Sequence, residues 1–232
     1  MNRVLNRLVM SLRSFAAAAL ACAALSAPAA AAALAPALQA EFDTAVLDYE
    51  SGRLAAAQAA FESLARRHVA PAEFNLAVMH LRGEVPRPDR RRAEQWLTRA
   101  AQGGFVTAQY MLGQSLENGD FGRRDLARAH DWYERAAMAG SVDAQVAMGT
   151  AHYLGRGRPK DASRAAQWFR EAAKSGDVGA QYLLASMYEQ GDGVERDLRL
   201  ARYWYDIAAR NGDVAAPGKV LELDAVAATA PP

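Results

Sequence analysis

Apolar residues recur along most of the chain with the spacing of helices that have one buried side. Between residues 105 and 140, apolar positions at i, i+4 and i+8 predict a first helix over residues 106–117, whose core stripe is Ala108, Leu112 and Leu116. Asn118 and Gly119 end this helix, because glycine readily takes a positive φ. A second helix opens at Asp125, whose carboxylate can accept the free N–H groups of the first turn, and it ends at Gly140.

This two-helix unit recurs every 36 residues without a gap. The interval separates the tryptophans, the aspartates that open second helices and the glycines that end first helices: Trp96, Trp132, Trp168 and Trp204; Asp89, Asp125, Asp161 and Asp197; Gly83, Gly119, Gly155 and Gly191. A fixed period in the thirties is typical of stacked helix pairs. The sequence therefore predicts an all-α fold, a right-handed α-solenoid of antiparallel helix pairs.

Two groups of residues predict how the pairs pack. Small residues beside the core stripe, at Gly113, Gly149 and Ala185, would let a neighbouring helix approach closely. Aromatic residues on the second helices recur in phase with alanines and are predicted to fill the core, not to form a ladder that stacks a ligand. They are the four tryptophans together with Tyr133, Phe169 and Tyr205.

Two segments carry a resemblance to a known family. Residues 180–197 read AQYLLASMYEQGDGVERD and residues 201–212 read ARYWYDIAARNG, and both resemble the Sel-one-like repeat (SLR), a relative of the tetratricopeptide repeat. Four such units span residues 69–212. A less regular pair over 34–68, with helices at 38–49 and 54–67, resembles an ordinary tetratricopeptide repeat. The family favours tyrosine where this chain has His80, Leu116 and His152, which predicts variable loops on an unchanged fold.

The resemblance implies a function in binding other proteins. Members of the family act as periplasmic regulators of signalling, as scaffolds of secretion or motility assemblies and as host-contact factors. The resemblance implies a protein-binding function but does not indicate which of these roles this chain has.

The ends of the chain differ from the repeats. Residues 1–33 are typical of a secretory signal peptide: Arg3, Arg7 and Arg13 precede a short apolar run, and cleavage is expected between Ala29 and Ala33. We therefore predict an exported protein, periplasmic or secreted. Cys22 is the only cysteine, and lipid attachment there is a minor alternative. Residues 213–232 are predicted to hold a short capping helix over 214–226 and a loose tail from Thr229.

Charge narrows the partner class. The chain has 27 basic and 26 acidic residues, and loss of the leader, which contains three arginines and no acid, would leave it slightly acidic. That balance argues against a nucleic-acid partner or an anionic membrane surface. Since the leader's apolar run is too short for a comfortable membrane span and no later stretch approaches 18 apolar residues, we predict no stable membrane insertion of the mature chain.

Residues that could carry chemistry are few. No zinc-protease, serine-hydrolase or phosphate-loop motif occurs, so we predict no enzyme and neither cofactor nor metal. His80 and His152 occupy a core-facing phase two units apart and are predicted to be core residues. A role as catalytic carboxylates is conceivable for Glu117, Glu189 and Asp192, but ordinary surface acids at helix ends explain them better.

The first helices are predicted to line a concave surface with their positions outside the core stripe. These mix polar and aromatic types, which suits an extended peptide or a partner helix: Met79, Arg82, Tyr110, Gln114, Asn118, Thr150, Leu154, Tyr182, Ser186 and Gln190. The predicted partner is another protein or peptide in the cell envelope, and the oligomeric state stays open. Two alternatives remain, a protein or enzyme that acts on envelope glycan or peptide, and a lipid-anchored secretion scaffold.

Overall fold

The computed structural model describes residues 34–229, which form eleven helices and no strand within that range. The helices are α1 (Pro36–Glu50), α2 (Leu54–Arg66), α3 (Ala70–Arg82), α4 (Arg90–Gln102), α5 (Val106–Asn118), α6 (Leu126–Met138), α7 (Val142–Leu154), α8 (Ala162–Lys174), α9 (Val178–Gln190), α10 (Leu198–Arg210) and α11 (Ala216–Thr229). Each packs mainly against the helices before and after it in the chain. The predicted all-α solenoid of helix pairs is confirmed.

The four repeat pairs begin and end as the sequence predicts. Asp125 accepts the backbone N–H of Arg128 at 3.0 Å, and Asp161 accepts that of Arg164 at 2.9 Å. At the other end of the first helices, Gly119 has a φ of +82°, in the left-handed region that favours glycine. The caps therefore fix the boundaries of each pair locally, before any packing between repeats.

The predicted core stripe lies inside. Ala108 and Leu112 are fully buried and Leu116 is 3% exposed. Gly113 and Gly149 lie beside this face and touch the second helix of their own pair. A Cβ added at Gly149 would lie 2.7 Å from the ring of Phe169, and one at Gly113 would lie 2.7 Å from that of Tyr133. The predicted close approach at glycine is confirmed.

The tryptophans are less buried than predicted. Trp132 is buried, whereas Trp96, Trp168 and Trp204 are half-buried. The fully enclosed side chain is the next residue along each second helix, such as Phe169 at 2% exposed. One step along a helix turns the side chain by about 100°, so only the second of two adjacent aromatic residues faces the glycine. The tryptophans lie at seams between repeats, and Trp96 packs against two successive core clusters.

The terminal helices differ by a few residues from their predicted ranges. α1 begins two residues before 38, and α11 covers Ala216–Thr229 instead of 214–226. Pro217 is tolerated because it lies in the first turn, where no backbone donor is needed. Thr229 therefore belongs to the helix and not to the tail. The predicted leader at 1–33, with Cys22, and the last three residues lie outside the described residues. Within residues 34–229, no helix has the length and apolar character needed to cross a membrane.

Buried glutamines join successive repeats. The side-chain amide of Gln109 donates to the carbonyl of Ala101 at 3.1 Å, and Gln145 donates to Ala137 at 3.2 Å. Gln181 makes the same bond to Ala173. Each bond runs from a first helix back to the end of the preceding second helix, so these glutamines fix the register of the seam. The three glutamines recur at the same interval of 36 residues as the tryptophans.

The first seam uses a different device. Glu73 occupies the glutamine position and is 3% exposed, but a carboxylate has no N–H to donate. Arg99 supplies the donor: its guanidinium bonds to the carbonyl of Ala65 at 3.1 Å and lies 2.7 Å from Glu73. The contact between Arg99 and Glu73 is an ion pair but not a well-aligned hydrogen bond, so the buried Oε1 of Glu73 is left without a hydrogen-bond donor. Burial raises the pKa of Glu73, against the lowering effects of Arg99 and His68.

Glu73→Gln is therefore expected to stabilise the protein. The amide can bond to Ala65 as in the other repeats, and a buried charge disappears, which together should raise the free energy of unfolding by about 1 kcal/mol at pH 7. The pKa of Glu73 is higher in the folded than in the unfolded protein. The ionised carboxylate therefore lowers the stability of the fold at pH values above the folded pKa, and this cost is absent below the ordinary carboxyl pKa. The gain should shrink as pH falls through that window.

Urea unfolding at pH 7 and pH 4 measures this effect. Gln109→Glu makes the reverse change at the equivalent seam and serves as the matched control, with an expected loss of stability that grows with pH. A Glu73→Gln protein that is less stable than the parent at pH 7 would contradict the explanation.

Candidate functional site

The predicted binding positions lie on one face of the first helices. We call this the A-helix face, where A helix means the first helix of a repeat. It comprises residues 110, 114, 117 and 118 of α5, residues 146, 150, 153 and 154 of α7, and residues 182, 186, 189 and 190 of α9. Of the ten predicted residues, five are half-buried on this face, namely Tyr110, Gln114, Thr150, Tyr182 and Ser186. Three are exposed at the ends of their helices: Asn118, Leu154 and Gln190.

The two remaining positions, in α3, behave differently. Met79 is fully buried against the N-terminal helix pair, so its assignment to this face is wrong by one residue. The residue 36 positions before Gln114 is Val78, and one step along the helix turns Met79 into the core. Arg82 donates to the hydroxyl of Tyr49 at 3.0 Å and lies 4.0 Å from Glu84, so it ties α3 to the N-terminal pair.

A pocket of about 240 Å³ opens on the A-helix face between the third repeat, the fourth repeat and α11. It brings together four predicted residues, Thr150, Tyr182, Ser186 and Gln190. Its wall also contains residues that the sequence did not assign to a site: Tyr153, Phe169, Leu183, Met187, Glu189, Tyr205 and Lys219. Tyr153 and Glu189 follow Thr150 and Ser186 by three residues, and that i, i+3 spacing was a signal that could have found them.

Glu189 is not the exposed surface acid that the sequence predicted. Its side chain is 22% exposed and lies against the pocket, because it faces α10 and α11 although it is the next-to-last residue of α9. The hydroxyl of Tyr205 donates to Glu189 Oε2 at 2.7 Å, and Lys219 Nζ donates to Oε1 at 3.2 Å. Burial and the bond to Glu189 raise the pKa of the Tyr205 hydroxyl, so it remains a donor. Tyr182 packs edge-on to Tyr205 with ring centres 5.0 Å apart.

The same cluster occurs two repeats earlier. Tyr133 donates its hydroxyl to Glu117 Oε2 at 2.8 Å, and the ring of Tyr110 lies 5.6 Å from that of Tyr133. Arg156 Nη2 pairs with Glu117 Oε1 at 2.7 Å. Glu117 is thus also a partnered acid, only 21% exposed, and not a free surface carboxylate. In the repeat between, the equivalent positions are Val146, Tyr153 and Phe169, so no acid lies there.

Asp192 also lies near a tyrosine on this side of the molecule. Burial raises the pKa of Tyr153, and the nearby carboxylate of Asp192 raises it further. Two of the three acids that the sequence singled out, Glu117 and Glu189, therefore accept the hydroxyl of a tyrosine on the paired second helix. Their arrangement is that of hydrogen-bonded structural carboxylates.

Comparison with protein families gives these repeats a name. The Sel1 repeat model matches four times in succession, at residues 70–105, 106–141, 142–177 and 178–213, which together cover more than half of the chain. The chain belongs to the Sel1 repeat family. The predicted resemblance is confirmed, and the family's matches start one residue after the predicted 69. The comparison with curated proteins found no match.

Two solved Sel1-type structures are similar in sequence and shape. A Sel1 repeat protein from Oxalobacter formigenes is 34% identical with a TM-score of 0.67, over 72% of this chain and 49% of that one. A protective antigen of uropathogenic Escherichia coli strains, described as an SLR fold, is 34% identical with a TM-score of 0.64, over 68% of this chain and 34% of that one. This chain thus spans half or less of the length of either protein. Sel1 repeats mediate protein–protein interaction, and Sel1 scaffolds are generally non-enzymatic.

A polar cluster outside the A-helix face joins the second and third Sel1 repeats. Arg158 donates to Nδ1 of His130 at 3.3 Å and to Nε2 of His152 at 3.1 Å. Both histidines are under 5% exposed, and burial, then the charge of Arg158, lowers the pKa of each. His80 is likewise buried, so the predicted core positions of His80 and His152 are confirmed. Among residues 34–229, no three metal-ligating side chains cluster.

Proposed function

We propose that this protein is an exported adaptor or regulator of the cell envelope that binds another protein or peptide through the A-helix face. The pocket around Glu189 carries the proposal, because it places aromatic rings, hydroxyl groups and a carboxylate at one opening of a Sel1 solenoid. Aromatic surface with a few placed polar groups is typical of protein recognition sites. The protein acts by binding and not by catalysis.

Export rests on the leader. Three arginines, a short apolar run and alanines between 29 and 33 form the three parts of a secretory signal peptide. Cell fractionation followed by mass measurement tests this part of the proposal. A periplasmic or secreted protein that begins within residues 30–34 would support it. A full-length cytoplasmic protein would overturn it, and a lipid-modified chain that begins at Cys22 would replace the freely diffusing form with a membrane-anchored one.

Photo-crosslinking in the cell tests the binding face. A photoreactive amino acid is placed at Gln114 or at Ser186, and the adducts are identified by mass spectrometry. Gln167, which is exposed on α8, carries the same probe as the matched control. We expect one envelope protein to be captured from both positions and not from Gln167.

Other outcomes count against the adaptor. If the two positions capture glycan and no protein, the alternative of an envelope glycan-binding protein takes its place. If Gln167 captures the same protein as strongly as Ser186, the A-helix face is not the binding face.

A further inference from the structure

Two clusters of one composition lie on alternate repeats of the A-helix face. The Glu117 socket consists of Tyr110, Glu117 and Tyr133, and the Glu189 socket consists of Tyr182, Glu189 and Tyr205. In both, a tyrosine hydroxyl holds one carboxylate oxygen, at 2.8 Å and 2.7 Å respectively. The other oxygen, Oε1, is left for a cation. The sockets are 72 residues apart in the chain and differ in what fills that last place.

The chain fills the Glu117 socket itself. Arg156, from the loop after α7, puts Nη2 at 2.7 Å from Glu117 Oε1. A guanidinium suits this place, because its planar fork donates to carboxylates and lies against aromatic faces with a weaker hydration shell than an ammonium. The molecule thus contains one example of the ligand that this arrangement of two tyrosines and a glutamate accepts.

The Glu189 socket is filled less completely. Lys219 reaches Glu189 at the longer distance of 3.2 Å and is shared with Glu222, which it meets at 2.8 Å. Next to this pair lies the open pocket of about 240 Å³, lined by Tyr182, Tyr205 and Thr150 among others. That volume is below the roughly 300–1,000 Å³ of small-molecule sites, so it suits one side chain of a larger partner.

We propose that the Glu189 socket binds an arginine side chain of the partner polypeptide. The guanidinium takes the place of Lys219 at Glu189 Oε1 and lies against the rings of Tyr182 and Tyr205. The hydroxyl of Thr150 and the amide oxygen of Gln190, which also line the pocket, accept from its other N–H groups. Lys219 turns to Glu222, with which it already pairs. This inference rests on the proposed function, since it specifies the chemistry of the partner at that face.

A peptide pair isolates the guanidinium. The purified protein is titrated with acetyl-Gly-Gly-Arg-Gly-Gly-amide and with the same peptide carrying citrulline, which keeps the shape and removes the charge, while amide NMR shifts are recorded. We expect the arginine peptide to shift the resonances of Ser186 and Glu189 and to bind at least tenfold more tightly than the citrulline peptide. Equal binding of the two peptides, or shifts confined to other repeats, would overturn the proposal.

Matched variants locate the site. Glu189→Gln keeps an acceptor for Tyr205 and should weaken the arginine peptide at least tenfold, whereas Glu117→Gln, in the filled socket, should leave its affinity unchanged. Lys219→Met removes the competing cation and should tighten binding several-fold. Arg156→Ala should open the second socket and create a second set of shifts around Gln114. Unchanged affinity in Glu189→Gln and Lys219→Met would overturn the assignment.

The crosslinking experiment separates this proposal from the adaptor function. Capture of one envelope protein from Ser186 in both the parent and Glu189→Gln keeps the adaptor and counts against the arginine socket. Arginine-selective binding without any captured protein keeps the socket and counts against the adaptor.

Discussion

Phe169→Ala is expected to lower the free energy of unfolding by about 3–5 kcal/mol. The ring is 2% exposed and packs directly on Gly149, which has no side chain that could move into the space left behind. The substitution therefore loses the burial of the ring and leaves a cavity between α7 and α8. Since each repeat contacts only its neighbours, this one cavity weakens the link between the two halves of the solenoid.

Urea unfolding combined with hydrogen exchange measures both effects. In the parent, we expect α5–α10 to be protected as a unit. In Phe169→Ala, protection should fall first in α7 and α8, and the unfolding transition should broaden as the halves separate. Trp168→Ala, the matched control on the same helix, removes a larger but half-buried side chain and should cost less. An equal or greater loss in Trp168→Ala would show that the tryptophan, and not Phe169, fills the core.

Gly193→Ala is expected to cost about 2–4 kcal/mol, the sum of backbone strain and a steric clash. Gly193 has a φ of +73°, in the left-handed region. A Cβ built there would lie 2.2 Å and 2.3 Å from the backbone carbon and oxygen of Ala162, the first residue of α8. Backbone atoms cannot turn aside as the end of a flexible side chain can. The loop after α9 would have to lift away from the preceding repeat.

Gly52→Ala separates the two contributions. Its φ of +75° nearly equals that of Gly193, but apart from Gly52 and its two chain neighbours no heavy atom lies within 4 Å of the added Cβ. This control should therefore show the strain alone, about 1–2 kcal/mol. Thermal unfolding of both variants gives the difference. If Gly193→Ala loses no more stability than Gly52→Ala, the contact between this loop and α8 does not hold in solution.

Local signals made most of the fold predictable. The capping aspartates, the glycines with positive φ and the small residues at helix contacts each act through a few neighbouring atoms, so their spacing was enough to place the helices. Periodicity could not tell which of two adjacent apolar residues faces inward. That limit explains the misplaced burial of the tryptophans and the shift of one residue at Met79.

The site was only partly predictable for a related reason. Thr150, Tyr182, Ser186 and Gln190 could be placed because they recur in phase with the repeat. Lys219 belongs to α11, which lies outside the four repeats, so no repeat spacing fixed its distance from Glu189. Tyr205 and Lys219, which bind Glu189, lie 16 and 30 residues further along the sequence. Only tertiary packing shows that their side chains reach the carboxylate of Glu189.

The glutamine bonds between repeats allow this kind of chain to lengthen by duplication of a repeat. Three successive seams use the same amide-to-carbonyl bond, so a copy of one internal repeat, inserted whole, would meet a matching surface on both sides. A second copy of the third repeat, placed beside the original, would lengthen the span between Glu117 and Glu189 by one fixed step, because one copy would supply Arg156 to Glu117 and the other Thr150 to the pocket at Glu189. The first seam breaks the series, because Glu73 needs Arg99 opposite it and His68 beside it. Duplication of a repeat inside the array thus preserves the bond at every seam, which makes the distance between the sockets a variable that duplication can set.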